Sequence, residues 1–393
     1  MKRKKVLLVH QAMRPAGGAT SVAAWVVEAL KEEHELTILT WDSIDTSALN
    51  RFYGTSLRDE EFQVLIPSSL LRFLRRADPD ERSLLPLVFL MRICRRIRNN
   101  YDLVIGTAPV ELDLGAPALL YVHYPCLGQF WGAFRDCHGV SLAARLGFLL
   151  TRRTRPWIVL SGFSLERLKR HTMLANSDWT GSKIETFYGV RVATLYPPVS
   201  TSSPARPWEE RENGFLCSGR FHRRKRLDWI VHVLASVRRK VPDLTLHIAG
   251  TRESTRDGAC YFEELSALVA SHPDWIRLHE DLSRHELDQL TGSLRYGIHA
   301  RIEEHFGIAP AETLAAGCIP FVHASGGQVE IVGGDPRLCF TDEEDAAEKI
   351  AAVMKCGYLQ REILNCLSSR RGLFTTEKFI AGFRHAVRDL LAY

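Results

Sequence analysis

Two glutamates separated by seven residues, Glu304 and Glu312, are the side chains of this chain whose types and spacing point most clearly to chemistry. Pro310 is tolerated in the first turn of a helix, and the small residues after it favour a helical run. The pattern therefore predicts a helix that begins near Phe306 or Gly307. Glu304 then lies in the loop before the helix, and Glu312 lies inside it.

A helix N-terminus offers unpaired N–H groups and the positive end of a dipole to an anion. We predict that a diphosphate rests at Phe306, Gly307 and Ile308. Glu304, ahead of the helix, would accept hydroxyls of a donor sugar, and Glu312 would hold the ribose hydroxyls of a nucleotide. The spacing thus indicates an enzyme that handles a nucleotide sugar, although the alternative interpretation is a pair of surface glutamates.

A basic segment, residues 218–226, follows a predicted strand that ends at Cys217. Arg220 and Lys225 are expected on the loop at the carboxyl end of that strand. Two cations there would stabilise a departing nucleoside diphosphate without a metal ion. The other three arginines of the segment are interpreted as surface charge or acceptor contacts, and the whole run could equally be a solvated basic stretch.

Three further sites are candidates with structural alternatives. Gly17 and Gly18 follow the first predicted strand, where the absence of side chains lets the backbone approach a ligand, or simply forms a tight turn. His123 ends an apolar strand and is either a positioning residue or a structural histidine. The segment 325–327, Ser-Gly-Gly, either shapes the nucleotide pocket or is a turn at a helix start.

The order of predicted elements is that of an α/β protein with two doubly wound domains. A strand at 4–9, a glycine loop, a helix at 20–31 and a strand at 35–40 begin the first domain, and a second series starts at 214 after a polar, proline-bearing stretch. We predict domains at 1–200 and 201–375, facing a central cleft, and a closing helix at 376–393. Further strand candidates in the first domain are 103–105, 118–122, 158–160 and 173–175.

Composition is that of a globular protein, with 46% hydrophobic and 25% charged residues. The longest strongly apolar stretch, 84–91, is far short of the roughly 20 residues that a membrane span needs, and no signal-peptide core follows Met1, so a cytoplasmic location is predicted. The nine cysteines are scattered, which suggests neither a disulfide framework nor a zinc cluster. Despite a net charge of +5, nucleic-acid binding is disfavoured because no base-reading module is present.

These residues together resemble glycosyltransferase family 4, whose members are retaining enzymes of the two-domain GT-B fold. Glu304 and Glu312 match the family's E-x7-E motif, and residues 218–225 look like its diphosphate-binding segment. Residues 299–302 depart from the family pattern, in which many members carry a Pro-Ser step. Four segments look most like the mannosyltransferases that extend lipid-linked oligosaccharides from GDP-mannose: 121–125, 176–180, 196–198 and 304–307.

The resemblance implies roles for the candidate residues. His123 would line the place near the transferred sugar's primary hydroxyl and anomeric centre, and the Gly17–Gly18 pair would form a pocket wall between donor diphosphate and acceptor. The leaving diphosphate would help to deprotonate the acceptor hydroxyl, with no metal and no cofactor other than the GDP- or UDP-linked donor. The implied reaction is transfer of a hexose, mannose above all, to a lipid-linked glycan or a surface polysaccharide precursor.

Two basic amphipathic segments, 67–100 and 142–158, are predicted to contact an anionic membrane, which would bring the first domain to a lipid-linked acceptor. The alternative is that they are helices facing the core with solvated arginines. Competing functions are a UDP-sugar-dependent transferase, a nucleotide-sugar epimerase and a non-catalytic nucleotide-sugar binding protein.

Overall fold

The computed structural model of the chain describes residues 3–15, 17–77, 85–115, 117–127, 161–200, 206–253 and 255–392, without the side chains of 74–77. The predicted strand at 158–160 and the amphipathic segment 142–158 lie outside these residues, as does part of the segment 67–100.

The chain forms two compact units. One consists of Met1–Leu195 together with Phe379–Tyr393, and the other of Tyr196–Lys378. The sequence analysis placed this division after residue 200. Leu195 still belongs to the first unit because its N–H donates to the carbonyl of Ala175 at the end of a strand of that unit.

The described residues contain parallel strands that alternate with helices. The strands are β1 Lys4–Val9, β2 His34–Leu39, β3 Phe62–Leu65, β4 Leu103–Gly106, β5 Leu119–Val122, β6 Thr172–Ala175, β7 Ala193–Thr194, β8 Glu212–Ser218, β9 Thr245–Gly250, β10 Ile276–Glu280, β11 Leu294–His299, β12 Ile319–His323 and β13 Cys339–Phe340. The helices are α1 Gly18–Leu30, α2 Thr46–Tyr53, α3 Ser69–Ala77, α4 Leu85–Ile97, α5 Leu165–Leu168, α6 Asp178–Tyr188, α7 Leu227–Arg238, α8 Arg256–Ala270, α9 Arg284–Ser293, α10 Ile308–Ala315, α11 Gln328–Ile331, α12 Glu343–Lys355, α13 Gly357–Arg371 and α14 Thr376–Leu391.

The first unit holds a seven-stranded sheet in the order β3-β2-β1-β4-β5-β6-β7. Strand β1 is central and apolar, and Val6 pairs with Leu36 on one side and with Leu103 on the other. Because parallel strands covered on both faces must be apolar throughout, each face of this sheet has its own hydrophobic cluster. The strand order reverses between β1 and β4, where His10 Nδ1 lies 3.0 Å from the carbonyl oxygen of Thr107.

The second unit holds a six-stranded sheet in the order β10-β9-β8-β11-β12-β13. Its order reverses between β8 and β11, which pair in parallel with Phe215 opposite Tyr296. The carboxyl ends of these two strands, at Ser218 and His299, therefore meet at one edge of the sheet. Loops that leave such a switch point are where α/β proteins bind ligands, and both of the predicted motifs leave from it.

The prediction of an α/β chain with two doubly wound parallel sheets is confirmed. Strands β3, β7 and β13 and helices α12 and α13 were not predicted. Strand β8 begins at Glu212, before the predicted start at 214 and inside the polar, proline-bearing stretch. Two of the missed strands, β7 and β13, are two residues long, which is too short for a sequence pattern to identify.

Within the described part of the chain, no helix combines the length and the apolar character needed to cross a bilayer.

Helix α14 returns the end of the chain to the first unit. The Phe379 ring lies 5.9 Å from that of Tyr121, edge to face, and Phe383 is fully buried in the same cluster. Arg384 Nε donates to the carbonyl of Ala29 at 2.6 Å. These contacts make the last helix part of the core of the first unit.

We expect Phe383→Ala to destabilise the first unit by about 3–5 kcal/mol, because it removes a buried aromatic side chain and leaves a cavity. Urea unfolding followed by circular dichroism measures the change in the free energy of unfolding. His385→Ala is the matched control, since the His385 side chain is 78% exposed on the same helix. Equal decreases of the free energy of unfolding in the two variants would contradict the packing described for α14.

Candidate functional site

The loop between β11 and α10 carries Glu304, and a second loop fixes its backbone. Glu304 forms a bridge with Gly326, and its carbonyl accepts from the N–H of Gly327 at 2.8 Å. The N–H of Glu303 donates to Ser325 Oγ at 2.8 Å. The segment 325–327 is therefore a support for the Glu304 loop, which adds a physical role to the turn considered in the sequence analysis.

The Glu304 carboxylate receives three nitrogen donors. Lys225 Nζ lies 2.9 Å and His299 Nε2 lies 3.0 Å from Oε2, and Arg301 Nη1 lies 3.2 Å from Oε1. The residue is only 8% exposed. Burial alone would raise the pKa of this carboxyl, but Lys225, the hydrogen bond from His299 and Arg301 hold the pKa well below its usual range. Glu304 is thus a charged acceptor at neutral pH.

His299 ends β11 and is buried. Burial, followed by the charge of Lys225, lowers the pKa of His299 to about 4, against the opposing effect of Glu304. The imidazole is therefore neutral near pH 7. Because a carboxylate only accepts, the contact with Glu304 requires the proton on Nε2. His299 fixes the carboxylate without adding charge.

Lys225 lies in a short 3-10 turn, Arg223–Lys225, at the carboxyl end of β8. The turn is capped by the His222 side chain, which accepts from the N–H of Arg224 at 2.9 Å. Arg220, in the same loop, has a side chain that is 50% exposed and lies 3.4 Å from Glu253. The structure brings Lys225 to Glu304, whereas Arg220 is held at a neighbouring carboxylate in this state.

Glu312 belongs to a different ion pair, in the second turn of α10. Its carboxylate contacts Arg284 Nη1, and Arg284 also contacts Asp288 on α9. Burial raises the pKa of Glu312, against the opposing charge of Arg284. Burial alone would lower the pKa of Arg284, but its two carboxylate partners raise it. The Glu312 carboxylate is therefore held on α9 through Arg284, and the predicted contact with ribose stays a prediction.

The helix start between the two glutamates has the predicted form. Gly307 is the N-cap of α10 with φ 101°, a left-handed conformation that disfavours a side chain. The Phe306 side chain is buried, with its ring 5.7 Å from that of Tyr196 and 5.6 Å from that of Phe374. Phe306 therefore offers only its backbone to a ligand, as do Gly307 and Ile308 if the predicted diphosphate rests there.

The remaining candidates, Gly17, Gly18 and His123, lie in the other unit. Gly17 is the N-cap of α1 with φ 126°, and Gly18 is the first residue of that helix. The Tyr53 hydroxyl accepts from the N–H of Gly17 at 3.2 Å and donates to its carbonyl at 3.1 Å. His123 directly follows β5, where its carbonyl accepts from Asn176 Nδ2 at 3.1 Å.

Sequence reasoning missed three side chains of the site: His299, Arg301 and Arg284. His299 ends a strand at the same sheet edge as the basic loop, so the rule that selected Arg220 and Lys225 would also have selected it. Arg301 was noted only as part of a departure from a family pattern. No sequence pattern pointed to Arg284, because its pairing with Glu312 depends on how α9 packs against α10.

Among the residues that the structure describes, no cluster of His, Cys, Asp and Glu has the arrangement of a metal site. The groups that the second unit does gather are two cations on a buried carboxylate beside a helix N-terminus. Such a surface can bind a phosphate group and a hydroxyl at the same time.

Comparison with known families identifies the second unit. Residues 200–365 match the family model described as Glycosyl transferases group 1. The matched part contains both glutamates, the basic loop and the three additional side chains.

Two similar curated proteins bear the name GDP-Man:Man(3)GlcNAc(2)-PP-Dol alpha-1,2-mannosyltransferase. The protein from Candida glabrata is 26% identical over 239 residues, which cover 56% of this chain and 46% of that protein. The human protein is 25% identical over 238 residues, 56% of this chain and 48% of that protein. The matches thus span about half the length of these relatives.

Solved structures extend the likeness to the whole chain. Sucrose-phosphate synthase from Thermosynechococcus elongatus superposes with a TM-score of 0.69 at 16% identity, over 99% of this chain and 100% of that chain. WaaG, a glycosyltransferase involved in lipopolysaccharide biosynthesis, gives 0.65 at 15% identity, over 95% and 98%. Anabaena HepE in complex with UDP and glucose gives 0.66 at 14% identity, over 98% and 100%. The prediction of the GT-B fold is confirmed.

We expect Gly326→Ala to lower the free energy of unfolding by about 2 kcal/mol or more, because Gly326 has φ 81° and a Cβ would lie 2.2 Å from the Glu304 carbonyl oxygen. Thermal and urea unfolding measure the loss. Gly357→Ala is the control, since a Cβ there meets nothing within 4 Å. A Gly326→Ala protein as stable as the control would show that the 325–327 loop does not support Glu304.

Proposed function

We propose that this protein is a retaining glycosyltransferase that transfers mannose from GDP-mannose to a lipid-linked glycan or a surface polysaccharide precursor. The observation that carries the proposal is the buried Glu304 carboxylate, held by Lys225 and Arg301 directly before the N-terminus of α10. A diphosphate linked to a sugar needs these two kinds of partner, cations for the phosphates and an acceptor for the sugar hydroxyls.

The leaving group is stabilised by charge. When the bond between the anomeric carbon and the diphosphate breaks, negative charge accumulates on the departing phosphate oxygens. We propose that positive charge at this place comes from Lys225, from the N–H groups at the start of α10, and from Arg220 once it has left Glu253. No divalent metal is needed in this scheme.

The donor sugar is oriented by Glu304. The carboxylate is ionised and its position is fixed by His299, so it can accept hydrogen bonds from sugar hydroxyls without reorganisation. For His123, Gly17 and Gly18 the proposed roles are those that the resemblance to family 4 implies. Glu312 is proposed to accept the ribose hydroxyls, with Arg284 holding its carboxylate.

We propose that the configuration at the anomeric carbon is retained, because the chain resembles family 4. The acceptor hydroxyl attacks the anomeric carbon on the face that the diphosphate leaves. The new carbon–oxygen bond replaces the bond to the diphosphate, and the hydroxyl proton passes to an oxygen of the leaving phosphate. Glu304 is not placed as a covalent nucleophile, because its oxygens are already hydrogen-bonded to Lys225, His299 and Arg301.

We assign GDP-mannose as the donor because the names of the relatives specify GDP-mannose. These relatives match this chain over about half their length. A UDP-sugar is the alternative, because HepE superposes in a complex with UDP and glucose. Identity of the donor is therefore the first property to test.

A lipid-linked acceptor would require the protein to reach a membrane surface. Six large apolar side chains are exposed among the described residues, and four of them lie at 64–73. Leu70 and Phe73, each 66% exposed, lie three residues apart on one face of α3, beside the exposed Arg72. An apolar face with an adjacent arginine suits peripheral contact with an anionic leaflet on the cytoplasmic side.

We expect GDP and GDP-mannose to stabilise the purified protein against thermal unfolding without added metal, and expect transfer of mannose to a lipid-linked glycan with an α-configured product. Glu312→Gln should weaken GDP binding by about tenfold, since hydrogen bonds to charged groups contribute about 1.5–3 kcal/mol. Glu348→Gln, an exposed change on α12, is the control.

Each other outcome has a definite meaning. Stabilisation and turnover with a UDP-sugar would overturn the donor and keep the reaction. A product of inverted configuration, read from the anomeric proton coupling, would overturn retention. Absence of binding to GDP, UDP and ADP alike would contradict the proposed enzyme.

We expect the double variant Leu70→Ser, Phe73→Ser to bind vesicles of phosphatidylcholine and phosphatidylglycerol at least about tenfold more weakly than the wild type, because each change removes apolar surface from the lipid contact. Vesicle sedimentation measures the partition. Tyr358→Ser is the control, since Tyr358 is 70% exposed in the other unit. Equal partition of both variants would contradict this docking surface.

A further inference from the structure

Two cations share the Glu304 carboxylate, although one would neutralise it. Lys225 and Arg301 are both within hydrogen-bond distance of its oxygens, and His299 is neutral at pH 7. The cluster therefore carries an excess positive charge of about one. An excess charge in a mostly buried place indicates that an anion binds there during the protein's work.

The two oxygens of Glu304 are held differently. Oε2 receives Lys225 at 2.9 Å and His299 at 3.0 Å, and both donors come from elements at the sheet edge. Arg301 Nη1 lies 3.2 Å from Oε1 and also donates to Oε2 at 3.4 Å. Across the described residues, every side-chain hydrogen bond and ion pair of Arg301 is with Glu304. Lys225 and His299 can thus hold the carboxylate in place when Arg301 leaves.

Arg301 is free to move in a limited way. Its carbonyl accepts from Gln328 Nε2 at 2.7 Å, and Gln328 is fully buried. The backbone at 301 is therefore anchored, while the Arg301 side chain is 22% exposed. An anchored backbone with a partly exposed guanidinium is the arrangement of a side chain that changes partner without moving its loop.

We propose that Arg301 is a binding residue for the donor diphosphate, stored on Glu304 in the resting protein and released when a sugar hydroxyl takes Oε1. This inference rests on the proposed function. The hydroxyl replaces the guanidinium on Oε1, and Arg301 then pairs with the phosphate next to the sugar, for which its planar donors are well suited. Binding of the sugar and of the diphosphate are coupled through this exchange.

The exchange has a consequence for ligand preference. A diphosphate without a sugar must compete with Glu304 for Arg301, so it binds a site that is partly neutralised. The intact donor frees Arg301 through its own hydroxyl. The site therefore favours the nucleotide sugar over the nucleoside diphosphate that remains after transfer, which assists release of the product.

The test uses inorganic pyrophosphate and GDP, with affinities measured by isothermal titration calorimetry on the full chain. Glu304→Gln should bind both about tenfold more tightly than the wild type, because Arg301 and Lys225 are no longer neutralised. Adding Arg301→Gln should remove most of the gain, since Lys225 alone then remains. Arg301→Gln alone should leave the affinity for GDP within about twofold and weaken the intact nucleotide sugar by about tenfold.

Two controls separate Arg301 from a general change of charge. Arg301→Lys retains the cation and should keep most of the preference for the nucleotide sugar. Arg239→Gln removes an exposed arginine directly after α7, outside the basic loop, and should change neither affinity. Circular dichroism and thermal unfolding establish that each variant is folded, and the single Arg301 variants test the proposal even if Glu304→Gln is unstable.

The proposal is overturned if the gain in Glu304→Gln persists after Arg301→Gln, since the gain would then come from loss of the carboxylate alone. It is also overturned if Arg301→Gln weakens GDP and the nucleotide sugar equally. Because pyrophosphate lacks both base and sugar, these results hold whichever nucleotide is the donor. If the wild type does not transfer mannose from GDP-mannose, but the affinities for pyrophosphate change as expected in the variants, the proposed function is rejected. The role of Arg301 in binding a diphosphate then still stands.

Discussion

The buried carboxylate of Glu304 is the interaction on which the site depends. Glu304 is 8% exposed, and its carboxylate is stable as an anion only because Lys225, Arg301 and His299 surround it. The cations in turn need this anion, since their loops would otherwise place like charges together. The basic loop after β8 and the glutamate loop after β11 are therefore one electrostatic unit.

Sheet topology explains why residues that are 79 positions apart meet. Strands β8 and β11 are neighbours because the order of the sheet reverses between them, so their following loops share one edge. The same reversal occurs between β1 and β4 in the first unit, where the loop with Gly17 and Gly18 begins. Each unit thus presents loops from its own switch point, and the fold supplies positions that side chains of different chemistry can occupy.

Much of this could be predicted from the sequence because the signals are local. The apolar runs of β1 and β8, the glycine N-cap of α10 and the strand-end position of Lys225 each depend on a few adjacent residues. Other features depend on packing between distant elements. The pairing of Arg284 with Glu312 joins α9 to α10, and the burial of Phe306 against Tyr196 and Phe374 involves three separate segments. Short strands such as β13 exist because a neighbouring strand is there to pair with, which a pattern within the chain does not reveal.

The return of the last helix has a consequence for how the protein is made and divided. Because Phe379–Tyr393 belongs with Met1–Leu195, the first unit remains incomplete during synthesis until residues 379–393 leave the ribosome, whereas the second is one uninterrupted stretch. A gene fragment encoding 196–378 would therefore contain the second unit as one continuous piece. The first unit would need a new linker that joins its two pieces, as in an engineered domain excision.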